Sequence, residues 1–260
     1  MDQWPDFLSA MLLTLLRVSG VVAFAPFLSS PALPVRAKVA FSVAVAFLLA
    51  PLVASLPASH TELQFASVAG ELAVGLLYGL ILALLNETLL FAGEIVGLQF
   101  SLSAVNLMDP TSSIQTPLMN DLFQIMGTLI LIAAGLDRIL LGSLIRSFRV
   151  VPLGSYVLWP GTSRAVVQAA GGIFLAAVEL AAPVLAATML AEIAVALLNR
   201  LSPQLSVMSL SVPLKTFVGL AILTGSLAVW PRFIETRFAF FLDFAEGLLQ
   251  ITPSVTGIKG

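Results

Sequence analysis

The chain has 260 residues, 59% of them hydrophobic and 10% charged, with a formal net charge of −2 and a mean hydropathy of +1.05. Soluble domains carry about 25% charged residues, so this composition cannot cover a water-facing surface, and lipid or protein partners must cover most of it. No basic stripe exists to neutralise nucleic-acid phosphates, and the absence of cysteine removes disulfides, thiolate metal sites and a cysteine nucleophile.

The N-terminus, Met1-Asp2-Gln3-Trp4-Pro5-Asp6, is acidic where a signal peptide needs a positive region, so the first apolar helix is expected to be retained. A spanning helix needs roughly 20 apolar residues. The first candidate covers residues 7–27, holds Arg17, ends at Pro31 and Pro34, and is followed by Arg36 and Lys38. The second covers 39–56 without a charge and closes at Pro57. The polar loop after it holds the single histidine, His60, which alone cannot build a zinc site of the usual type. A third apolar stretch runs from Phe65 through Asn86 and Glu87 to Met108. At about 1.5 Å per residue it would reach about 65 Å, against a hydrocarbon core of about 30 Å, so it must break or project beyond the bilayer.

Pro110 disfavours helix at Asp109 and ends that stretch. Pro117 opens the next helix, expected over 118–148 as one element. Residues 150–161 read as irregular, with Pro152, Gly154, Pro160 and Gly161, and Thr162 or Ser163 offers a cap for a helix over 164–198 that Pro183 should kink. Asn199-Arg200-Leu201-Ser202-Pro203 reads as a tight turn, followed by a helix over 204–230 interrupted by Pro213, a more amphipathic segment over 233–251, and a tail over 252–260. With no internal repeat and no soluble domain, the expected fold class is an all-α integral membrane protein built of long, kinked helical hairpins.

Glu71, Glu87, Glu94, Glu179, Glu192, Arg17 and Lys215 lie within apolar stretches. Charges at bilayer depth are costly and usually face protein or water. Glu87 and Glu94, seven residues apart, share a helix face; a proton relay and a polar contact with neighbouring subunits are both compatible with that spacing. Gly75-Leu-Leu-Tyr-Gly79 and Gly93-Glu-Ile-Val-Gly97 are GxxxG patterns that let helix backbones approach. No Ser/His/Asp set, HExxH or Gly-rich phosphate loop is present, so a membrane enzyme lacks its nucleophile, base or metal set and no cofactor is expected. Asp109, beside Thr111 and Ser113, reads as a turn residue rather than a metal ligand.

Three ordered stretches carry a resemblance. The first is Gly93-Glu94-Ile95-Val96-Gly97-Leu98-Gln99, with Asp109-Pro110-Thr111-Ser112-Ser113 and Pro117 after it. The second is Ser147-Phe148-Arg149-Val150-Val151-Pro152-Leu153-Gly154. The third is Leu197-Leu198-Asn199-Arg200-Leu201-Ser202-Pro203-Gln204-Leu205, with Pro213-Leu214-Lys215 beyond it. In this order and spacing they resemble the FliR/SctT family of type III secretion export-gate subunits, over nearly the whole chain. The sequence departs from the usual family pattern at Ser101 and at Leu136-Asp137. The first two stretches lean toward the flagellar branch, and the equivalent injectisome subunit is the alternative; a small secondary transporter with a broken helix at Asp109-Pro110 is a further one.

The resemblance implies a multi-subunit spiral export gate assembled with FliP- and FliQ-like subunits, with FlhB-like and FlhA-like components beside it, in the bacterial inner membrane at the flagellar basal body. Unfolded flagellar proteins would pass through its pore. It also implies a single subunit with a FliP-like part over about residues 1–163 and a FliQ-like hairpin and tail over about 164–260. A pore plug is expected at Asn106, Leu107, Met108, Asp109, Pro110, Thr111, Ser112 and Ser113. Packing and assembly are expected at Gly93, Glu94, Gly97, Gln99, Arg200, Pro203, Gln204 and Lys215.

Overall fold

The computed structural model describes residues 3–26, 28, 33–57, 59, 62–100, 118–156, 162–201 and 207–250. Among the described residues every regular element is a helix: α1 (Gln3–Phe24), α2 (Val35–Ala54), α3 (Phe65–Gln99), α4 (Leu118–Ala133), α5 (Leu136–Val150), α6 (Thr162–Leu201), α7 (Val207–Ser226) and α8 (Trp230–Gln250). Segments Asp6–Phe24, Val35–Ala54, Phe65–Gln99 and Thr162–Leu201 are long and apolar enough to cross a membrane. The broken pairs α4–α5 and α7–α8 raise that number to six if each pair is one span.

Four boundaries differ from the sequence expectation. Helix α2 starts at Val35, directly after Pro34, and so takes in Arg36 and Lys38, which were expected in a loop. Proline presets the dihedral of a helix entry, and Pro34 sits at the cap with φ −63°. The helix expected over 118–148 is two helices, because Gly135 adopts φ +70° in the left-handed region and ends the ladder of α4. Asn199, Arg200 and Leu201 are helical, forming the last turn of α6 rather than a turn. Pro213 lies inside α7 without ending it; the break falls instead between Ser226 and Trp230.

The chain forms two compact units, each drawn from separate stretches. Unit 1 comprises Met1–Leu85, Gly135–Ala170 and Arg237–Gly260; unit 2 comprises Asn86–Ala134 and Gly171–Thr236. Three of the four boundaries fall inside α3, α6 and α8, and the fourth falls between α4 and α5.

In unit 1, α1 packs on α2. The buried residues of α2 are Ser42, Ala46, Ala50 and Val53, a stripe spaced by one helical turn. Three of them are small, which brings the helices close, and Phe7 meets Phe47 edge-on at 5.9 Å. The rest of α2 turns outward, including Val39, Phe47 and Leu48. Also buried in unit 1 are Tyr78, Ile81, Leu82 and Leu85 of α3, Leu144 and Phe148 of α5, and Phe238, Phe241 and Leu249 of α8.

In unit 2, the core holds Leu89, Val96 and Phe100, Phe123 of α4, Ala177, Leu180 and Val184 of α6, and Trp230. Phe123 lies 4.6 Å from the Trp230 ring, and Phe91 lies 5.0 Å from Phe174. Gly219 of α7 faces the Phe100 ring directly, in space that a Cβ would fill.

Candidate functional site

Unit 1 is organised around one ion pair. Arg17 of α1 and Glu71 of α3 both have side chains with 0% exposure. The contact is a fork: Arg17 Nε donates to Glu71 Oε2 at 2.6 Å and Nη2 donates to Oε1 at 3.0 Å. Such bidentate pairs are among the strongest charge-assisted bonds. The remaining arm, Nη1, donates to the Val151 carbonyl at 3.0 Å and to Ser147 Oγ at 3.5 Å. The Gly154 N–H donates to Glu71 Oε1 at 2.9 Å, and the Phe148 ring lies 4.2 Å beneath the guanidinium carbon. The second sequence stretch, from Ser147 to Gly154, therefore wraps a pair that the sequence offered only as two separate charges.

Beside the pair, α1 and α3 meet backbone to backbone. A Cβ on Gly20 would lie 2.6 Å from the Gly75 carbonyl carbon, and one on Gly79 would lie 2.6 Å from the Gly20 oxygen. A Cβ on Gly75 would overlap the Arg17 carbonyl. The first GxxxG pattern is thus a helix crossing within this chain. A second polar chain runs from Tyr78 to Ser143, whose Oγ donates to Glu246 Oε1 at 2.5 Å; Arg146 Nε lies 3.4 Å from the same oxygen. It ties α3, α5 and the end of α8. In the segment after α5, burial pushes the Tyr156 phenol above its ordinary pKa, against the opposing hydrogen bond with Thr162, so the phenol is neutral at physiological pH.

Unit 2 holds the other residues singled out in the sequence. A Cβ on Gly93 would lie 2.8 Å from Asn120 Cα, marking the crossing of α3 and α4, whereas one on Gly97 would make only an ordinary 3.6 Å contact with Met119. Asn120 Nδ2 donates to Glu94 Oε2 at 3.1 Å, and Gln124 Nε2 donates to Asn86 Oδ1 at 3.2 Å. Glu87 and Glu94 do share an exposed face, where Leu90, Phe91 and Asn120 complete a pocket of about 220 Å³. Thr188 Oγ donates to Gln99 Oε1 at 3.3 Å. Lys215 pairs with Glu192. These two residues lie equally far in sequence from the Pro203–Gln204 junction, as an antiparallel α6–α7 hairpin requires. Arg200 is exposed in the last turn of α6.

The residues expected to form a plug, Asn106 to Ser113, lie outside the described residues, as do Pro203 and Gln204. Gly171 and Gly172 were expected to serve packing or a kink; among the described residues, a Cβ on either would meet no atom within 4 Å. Among the described residues no group of three or more His, Asp or Glu could hold a metal ion.

Residues 8–241 match the family model for bacterial export proteins, family 1. The chain belongs to that family. It is 28% identical over 259 residues to the flagellar biosynthetic protein FliR of Escherichia coli, covering 98% of both chains. It is 27% identical to FliR of Aquifex aeolicus over 94% of this chain and 95% of that protein, and 23% identical to FliR of Bacillus subtilis over 95% and 96%. The polar side chains described above join helices to each other. Sequence reasoning missed Ser143, Ser147, Asn120 and Glu246 in that role. A hydroxyl or amide in an amphipathic helix carries no mark of its partner, since the partners lie 26 to 130 residues away.

Proposed function

We propose that this chain is a structural and gating subunit of a flagellar protein-export gate, forming the pore with FliP- and FliQ-like subunits. The observation that carries the reading is its similarity, over nearly its whole length, to the flagellar FliR proteins. On this reading the gate stands in the bacterial inner membrane at the basal body, with FlhB-like and FlhA-like components beside it, and unfolded flagellar proteins pass through it. Helices α1 to α5 would supply a FliP-like part and α6 to α8 a FliQ-like hairpin and tail.

Broad apolar faces on α2 and α6 support a subunit that is completed by neighbours and lipid. Val35, Leu48, Val167, Leu190 and Leu201 are among the most exposed large apolar side chains, and exposed apolar surface on this scale marks interaction with protein or membrane. Gly93, Glu94, Gly97, Gln99, Arg200, Pro203, Gln204 and Lys215 would serve packing and assembly. Residues 106–113 would form the plug; Leu107 and Met108 seal against neighbours, while Asp109 and Pro110 keep the backbone out of a helix. Non-helical backbone at membrane depth is tolerated beside protein or a water-filled cavity, which a pore supplies.

Co-purification in mild detergent tests the reading. The chain expressed alone should aggregate, and co-expression with its FliP- and FliQ-like partners should rescue it as a stable complex. A stable, monodisperse, transport-active monomer would overturn the proposal.

A further inference from the structure

We infer that Arg17 and Glu71 are positioning residues, forming a lock of fixed polarity that seats the Val151–Gly154 segment against α1 and α3. The inference stands on the geometry of unit 1 and does not depend on the export reading. A buried ion pair is retained at a cost in desolvation unless further hydrogen bonds satisfy both partners. Here the two backbone bonds come from one segment, with Ser147 Oγ of α5 a longer third contact at 3.5 Å. The Val151 carbonyl accepts from the guanidinium, and the Gly154 N–H donates to the carboxylate. Both backbone groups lie beyond the end of α5, where the helical ladder no longer supplies partners. The charges therefore satisfy the segment as much as the segment satisfies the charges.

The polarity is set by the backbone. A carbonyl oxygen is complementary to a cation and an N–H to an anion. With the charges exchanged, a carboxylate from position 17 would face the Val151 carbonyl and a guanidinium from position 71 would face the Gly154 N–H. Attraction between the two side chains would survive the exchange, but both backbone bonds would be lost. Gly154 holds its N–H in place with φ +71°, a conformation that suits glycine. Leu153, between the two bonded groups, is fully buried and so reports whether the segment is seated.

The chain contains no cysteine, so a Leu153→Cys substitution gives a single thiol whose maleimide labelling reads the seat, in membranes of cells carrying the whole assembly. The thiol should be protected in the otherwise native chain. In the Arg17→Met/Glu71→Leu background, labelling should be about tenfold faster or more, because local opening is no longer opposed. The exchanged pair, Arg17→Glu/Glu71→Arg, should label as fast. Native-like protection in the apolar pair would show that packing alone seats the segment, and native-like protection in the exchanged pair would show that simple attraction suffices; either overturns the lock. Where the apolar or exchanged pair fails to accumulate, Arg17→Lys decides. It keeps the charge but lacks the planar fork, so faster labelling supports the lock and a native rate overturns it.

Discussion

Gly20→Ala adds one methyl group at the α1–α3 crossing, and its effect can be worked from the contact distances. The new Cβ would lie 2.6 Å from the Gly75 carbonyl carbon, 2.8 Å from the Leu76 nitrogen and 2.9 Å from the Gly75 Cα. All three are backbone atoms and none can rotate away. Ordinary contact begins at 3.4 Å, so the helices must part by about 0.8 Å. Arg17 lies one turn before Gly20, and the same shift would take the Arg17 Nη2–Glu71 Oε1 bond from 3.0 Å to about 3.8 Å, beyond hydrogen-bond range. Overpacking of a filled core costs about 1–3 kcal/mol, and complete loss of one partner of a buried pair about 3–5 kcal/mol. A pair that keeps both charges but loses one arm of its fork lies between these, at about 2–4 kcal/mol, partly offset by about 0.5–1 kcal/mol from replacing a helical glycine. Gly142→Ala is the matched control, because its Cβ meets nothing within 4 Å and only the helix gain remains. SDS titration of the detergent-solubilised assembly, followed by tryptophan fluorescence, measures both variants. A Gly20→Ala midpoint equal to wild type, or a Gly142→Ala loss as large as that of Gly20→Ala, would refute the reasoning.

Gly127→Ala should cost less than Gly20→Ala in the same titration, since its Cβ would meet the tip of the Leu89 side chain, which can turn aside. Lys215→Leu should lower the yield of the assembled complex. The Glu192 partner is about half exposed, so the ion pair contributes little to this chain's own stability; normal complex yield would count against an assembly role. Deleting a few residues within 107–113 should raise ion leak in cells holding the complex while assembly survives. A tight membrane with unchanged export would reduce that loop to a connector.

Composition and apolar run length were enough to read an all-helical membrane protein, because both follow from the one-dimensional requirement that a span be long and uncharged. They also flagged Arg17 and Glu71 as costly charges. They could not pair them, since the two lie 54 residues apart and a single sequence holds no record of that contact. The GxxxG patterns told only that backbones could approach; the structure distinguishes Gly75 and Gly79, which need the space, from Gly97, which does not. The break at Gly135 left a readable trace. Asp137, Arg138, Arg146 and Arg149 follow an almost uncharged α4, and a glycine with an acid two residues later is a plausible helix restart. The continuous apolar run hid it. The early start of α2 had its signal in Pro34, which opens helices as readily as it closes them.

The polar residues of this chain do a job that water performs elsewhere. Between helices in lipid the hydrophobic effect supplies no preference for one register over another, because lipid tails are as apolar as leucine. Register must then come from shape and from directed bonds. In unit 1 the two coincide. Gly20, Gly75 and Gly79 fix how closely α1 and α3 approach, and the Arg17–Glu71 fork, a turn away, fixes which residues are opposite. A slip of one turn along either helix would move the glycines out of contact and leave two buried charges without partners, so the correct register is favoured twice over. The Ser147–Gly154 stretch adds a third element to the same point by offering a carbonyl to the cation and an N–H to the anion. The contribution of this short stretch therefore lies in where its backbone must turn, because that turn presents both groups to the buried pair.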